Sequence, residues 1–70
     1  MTKEQLLEEL RNTAVDEKWA ANFLGLNPRT LANWRFRRQG PPYLKVGGRI
    51  SYVVSDLMTY RDSKRVDPFV

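Results

Sequence analysis

The sequence predicts a mainly α fold carrying one small β-hairpin. Three observations predict it. Apolar residues recur at helical spacing in four separate segments. Each segment is bounded by capping or breaking residues. One stretch, PYLKVGGRISY, instead reads as two short strands around Gly47-Gly48. With 70 residues and 41% hydrophobic content, the chain suffices for one domain with a modest core, residues 1–70.

The first helix is expected over 2–12. Thr2-Lys3-Glu4-Gln5 fits a capping box, with Gln5 reaching back to Thr2. Leu6, Leu7 and Leu10 mark one stripe, which Ala14 extends, and Asn12-Thr13 ends the helix. Asp16 caps the second helix, with Val15 placed to staple Ala20. Trp19, Ala20, Phe23 and Leu24 recur at helical spacing, and Gly25 supplies the left-handed stop. The Trp19–Phe23 pair is expected to lie under the N-terminal helix.

Only Leu26 and Asn27 separate Gly25 from the third helix. Asn27 is its N-cap and Pro28 its first residue. Gly40-Pro41-Pro42 forces an extended exit. After the hairpin, over 43–52, Ser55-Asp56 is expected to cap a closing helix over 54–65. Residues 66–70 form a tail barred from helix by Pro68.

Two short helices joined by a glycine-containing turn make a helix-turn-helix, here over 16–39. Ala21 is small where the helices approach, and Leu24, Leu26, Leu31 and Trp34 fill the shared core. The second helix then presents Pro28, Arg29, Asn33 and Arg37, with Thr30 at the edge, to a major groove. Arg29 suits a guanine edge and Asn33 an adenine edge. Trp34 lies opposite this stripe and packs inward.

The hairpin has two possible registers. A two-residue loop mixes apolar and polar residues on both faces. A three-residue loop, Val46-Gly47-Gly48, pairs Lys45 with Arg49 and Leu44 with Ile50. It gathers Leu44, Ile50 and Tyr52 on one face, and it is the expected register. Two cations then oppose each other, an arrangement that favours an anion across them. The hairpin is thus expected to be a wing on the DNA backbone. Arg35, Arg38, Lys45, Gly48 and Arg49 form the expected phosphate-facing set, and the whole is a winged helix-turn-helix with an extra N-terminal helix.

Charge supports the same destination. Residues 28–52 carry Arg29, Arg35, Arg37, Arg38, Lys45 and Arg49 and no acid. Such a block attracts polyanions. The chain has no cysteine and no histidine, so no disulfide, thiolate metal site or histidine base is available. Serines without an activating base and acids without an obvious pairing argue against an enzyme. The sequence implies neither cofactor nor metal. No membrane-length apolar run and no export signal occur, so a cytoplasmic protein is expected.

The run WAANFLGLNPRTLANWRFRRQGPPYLKVGGRISYVVSDLMTYRD resembles the small excisionase-like and AlpA-like winged-helix domains of the MerR superfamily. LGLNPRTLANW, GPPYLKVGGRISY and SDL carry the resemblance, which covers Asp16 to Asp62. It implies a phage or mobile-element protein that binds double-stranded DNA. Such a protein either directs recombination by binding and bending DNA beside an integrase, as an excisionase, or regulates transcription, with RNA polymerase as a partner. Separately from the resemblance, one small module contacts few base pairs, so self-association of side-by-side copies on DNA would raise specificity through effective concentration. Carried over by position, the DNA contacts are Arg29, Thr30, Asn33 and Arg49. The resemblance does not extend to Trp19, a position often polar in such domains, or to the N-terminal helix. It carries over no effector domain, and hence no metal or drug sensing. A protein-interaction module is the rival from another class.

Overall fold

α1 (Lys3–Arg11) starts where the capping box closes. Thr2 Oγ1 accepts from Gln5 N at 3.2 Å, and Gln5 Oε1 accepts from Thr2 N at 2.9 Å. Asn12 ends it, as the sequence suggests. The structure is a computed structural model and describes residues 2–66 and Pro68. The expected tail therefore lies outside the described residues at Asp67, Phe69 and Val70.

α2 (Glu17–Leu24) is capped by Asp16, which accepts from Trp19 N at 2.7 Å. Gly25 ends it at φ 74, and Leu26 N closes the turn on Ala21 O at 2.8 Å. α3 (Pro28–Phe36) starts on the Asn27 cap, which accepts from Arg29 N at 2.9 Å. These ends match their sequence signals because each cap is a local event among four or five residues.

The stop of α3 and the start of α4 differ from expectation. α3 stops at Phe36, before the glycine and prolines. Arg38 takes a left-handed φ of 57, and Gln39 N bonds Trp34 O at 2.7 Å, closing a Schellman-type end. Arg37 is thus the cap residue rather than an interior one. α4 (Val54–Ser63) is not capped by Ser55-Asp56. It follows a strand directly, with Val53 at its N-cap and no side-chain cap bond. Thr13 O takes the Val54 N–H at 3.0 Å, so a tertiary partner replaces the expected local one.

The sheet has three antiparallel strands in the order β1-β3-β2: β1 (Ala14–Val15), β2 (Leu44–Val46) and β3 (Arg49–Val53). β1 was not foreseen; Ala14 does not extend the helical stripe but pairs with Val53, and Val15 with Tyr52. Two residues carry no legible strand periodicity. β3 recruits them by offering a free edge.

The hairpin register also differs. Val46 pairs with Arg49, Lys45 with Ile50 and Leu44 with Ser51. The loop is two residues, Gly47 and Gly48, at φ 59 and 81. Both central residues of a type I′ turn need positive φ, and its twist matches the strands it joins. Turn geometry overrides the sorting of side chains. Ile50 and Tyr52 share the inward face with Lys45, while Leu44, Val46, Arg49 and Ser51 share the other. Leu44 and Val46 stay exposed. Lys45 and Arg49 therefore lie on opposite faces, and the expected pair of opposed cations does not exist.

The core is Ala20, Ala21, Leu31, Tyr52 and Leu57, flanked by Val15, Phe23, Leu24, Leu26, Trp34 and Ile50. Ala20 and Ala21 are fully buried, which lets α2 approach α3, β3 and α4 closely. α1 stands apart. It buries no residue and packs beside α4, leaving Leu6, Leu7 and Leu10 about half exposed. It does not bury Trp19, which stays exposed and stacks on Phe23 with ring centres 5.5 Å apart. The Phe23 ring is instead covered by the Arg61 guanidinium at 4.3 Å. The fold is small and mainly helical, with four helices and one three-stranded antiparallel sheet among the described residues.

Candidate nucleic-acid interface

α3 has two chemically distinct sides. Leu31 is buried, and Trp34 and Arg35 are half-buried on the inward side. Trp34 packs as the sequence suggests. Its ring meets Tyr60 with centres 6.5 Å apart, and its Cε3 lies 3.3 Å from where a Cβ on Gly40 would stand. Gly40 also takes a left-handed φ of 87 there, so a side chain at this position would be both strained and crowded against the indole. Pro28, Arg29, Asn33, Phe36 and Arg37 are exposed, and Thr30 is half-buried at the border. Arg29, Asn33 and Phe36 fall at i, i+4 and i+7, one stripe of a helix.

The phosphate-facing set divides. Arg38 is exposed just past α3, in the left-handed conformation that glycine adopts at less cost. Lys45, Gly48 and Arg49 are exposed around the hairpin tip. Arg35 does not belong with them. Its Nε donates to Glu17 Oε2 at 3.0 Å and its Nη2 to Oε1 at 3.4 Å. Its guanidinium also lies 5.1 Å from the Phe36 ring centre and 5.8 Å from that of Tyr43. Arg35 shares the inward stripe with Leu31 at i+4, where a cation needs a carboxylate.

Glu17 is the residue that sequence reasoning missed. It accepts from Arg35 and, at Oε2, from Tyr52 Oη at 2.8 Å. Burial pushes its carboxyl up, but the hydrogen bonds from Arg35 and Tyr52 and the arginine's charge bring it below the usual 4.5. Its hydrogen bond and charge hold the Arg35 guanidinium more firmly protonated, against a smaller opposing effect of burial. Burial, then the bond to Glu17, raises the Tyr52 phenol. A signal was present: Glu17 is the last acid before the acid-free block, and Arg35 is the one cation of that block on α3's apolar stripe.

One consequence is electrostatic. Among the described residues, ion pairs form only between Arg35 and Glu17 and, at 3.8 Å on the surface, between Arg65 and Asp62. Arg29, Arg37, Arg38, Lys45 and Arg49 are exposed and have no acidic partner among the described residues. Among those residues no cluster of three or more metal-ligating side chains occurs, and no helix is long and apolar enough to cross a membrane. Compared with protein-family models and with curated proteins, the chain matches none.

Proposed function

We propose that this chain is a sequence-specific double-stranded DNA-binding protein built as a winged helix-turn-helix, without catalysis. One observation carries the reading. Of the cations in residues 28–52, the single half-buried one, Arg35, is paired with Glu17, and all the others stand exposed without an acidic partner among the described residues. α3 then enters the major groove with Arg29 and Asn33 on base edges and Thr30 at the border. Arg37 and Arg38 at its end, and Lys45 and Arg49 at the hairpin tip, meet phosphates. The wing role now rests on exposed cations at the tip, not on opposed charges across the strands.

The resemblance to excisionase-like and AlpA-like domains supports a role in phage or mobile-element recombination, bending DNA beside an integrase. Promoter regulation is the close alternative. An in vitro excision assay with the cognate integrase separates the two. The exposed Leu6, Leu7 and Leu10 of α1 favour a protein contact in addition.

The test is binding to random duplexes across a salt series. Each phosphate contact contributes about −0.9 to the slope of log affinity against log salt. Contacts from Arg37, Arg38, Lys45 and Arg49 give a slope of about −4. A flat salt dependence, or equal affinity for every sequence, overturns the reading.

A further inference from the structure

Phe36 is 78% exposed in the middle of a cationic surface. A lone exposed phenylalanine is unremarkable by itself. This one is held in place. The Arg35 guanidinium stands 5.1 Å from its ring centre, and Arg35 is itself anchored at 3.0 Å on Glu17. Phe36 also lies at i+3 from Asn33 and i+7 from Arg29, on the very stripe proposed to face base edges.

We propose that Phe36 is a specificity-determining residue that reads the C5-methyl group of thymine in the major groove. This rests on the DNA-binding reading above. An apolar ring has no use for a phosphate. In stacked duplex DNA the base faces are closed, so the ring cannot stack on one. The thymine methyl is the apolar feature that a base pair presents in the major groove, and apolar side chains, phenylalanine among them, contact it there. The exposed cations that follow it, Arg37 and Arg38, draw the backbone in and bring the ring to the groove floor. Arg35 acts as a positioning residue: it fixes the ring's orientation and so reduces the ordering cost of the contact.

The experiment first selects a bound site from random duplexes. Each thymine of that site is then replaced in turn by deoxyuridine, which lacks only the methyl. At one position the wild-type protein should lose about fourfold in affinity, the worth of one buried methyl. Phe36→Ala should bind the thymine and deoxyuridine duplexes equally, and Phe36→Leu should retain part of the discrimination. Because the ring is exposed, both variants should unfold at the wild-type midpoint. The inference is overturned if the wild type is blind to the methyl at every position, or if Phe36→Ala discriminates as the wild type does. Salt-dependent, sequence-selective binding that is blind to the methyl removes this inference and leaves the DNA-binding reading standing. Absence of selective binding removes both.

Discussion

The Tyr52 hydroxyl donates to Glu17 Oε2 at 2.8 Å across 35 positions of sequence, and the same oxygen accepts from Arg35 Nε at 3.0 Å. One carboxylate thus joins the first turn of α2, the inward side of α3 and the central strand β3. Tyr52→Phe keeps the buried ring and removes one donor. It should cost about 1 kcal/mol, and Glu17→Gln about 2 kcal/mol because a charge-assisted bond is lost as well. Urea unfolding measures both, and an unchanged Tyr52→Phe midpoint would remove the bond from the fold's energetics.

The same carboxylate makes stability depend on pH. Its folded value lies below the ordinary 4.5. The contribution is therefore complete above about 4.5 and disappears as pH falls through the lowered folded value. The stability gap between wild type and Glu17→Gln should be widest at neutral pH and close in acid. Paired urea titrations across that range check it; a gap constant down to strong acid contradicts the sign.

The hairpin offers a test of register. Gly47→Asn should be tolerated, because Asn-Gly is a preferred type I′ pair, while Gly48→Ala at φ 81 should cost about 1 kcal/mol. Cross-strand proton contacts in solution should join Val46 with Arg49 and Leu44 with Ser51. Contacts joining Lys45 with Arg49 would restore the three-residue loop.

Arginines on the two sides of α3 should behave oppositely. Arg35→Ala should lower the unfolding midpoint by leaving a half-buried carboxylate underpaired. Arg29→Ala and Asn33→Ala should leave that midpoint alone and cost about 1–3 kcal/mol of discrimination at one base pair each. Arg38→Ala and Arg49→Ala should each flatten the salt slope by about 1, with little effect on sequence preference. Equal loss of stability in all five variants would dissolve the distinction between anchoring and contacting cations.

Leucines should divide in the same way. Leu31, 1% exposed, should cost about 2–5 kcal/mol as Leu31→Ala. Leu7, half exposed on a helix that buries no residue, should cost under about 1 kcal/mol as Leu7→Ala. Thermal unfolding ranks them, and parity would place α1 in the core.

The sequence by itself determined the helix starts at Thr2, Asp16 and Asn27, the stop at Gly25, the inward side of α3 and the unbroken run of cations. Each is decided by a few neighbouring residues or by helical period, so it is legible before folding. Tertiary structure alone decided the rest. β1 exists because β3 has an edge to fill, and α4 starts on Thr13 O because that strand brings the carbonyl there. The hairpin register follows two left-handed glycines within a sheet that leaves Leu44 and Val46 in solvent. Arg35 turned from a surface cation into an anchor because Glu17 and Tyr52, distant in sequence, converge on its side of α3. Pairing partners and burial are relations between segments, and no local pattern encodes them.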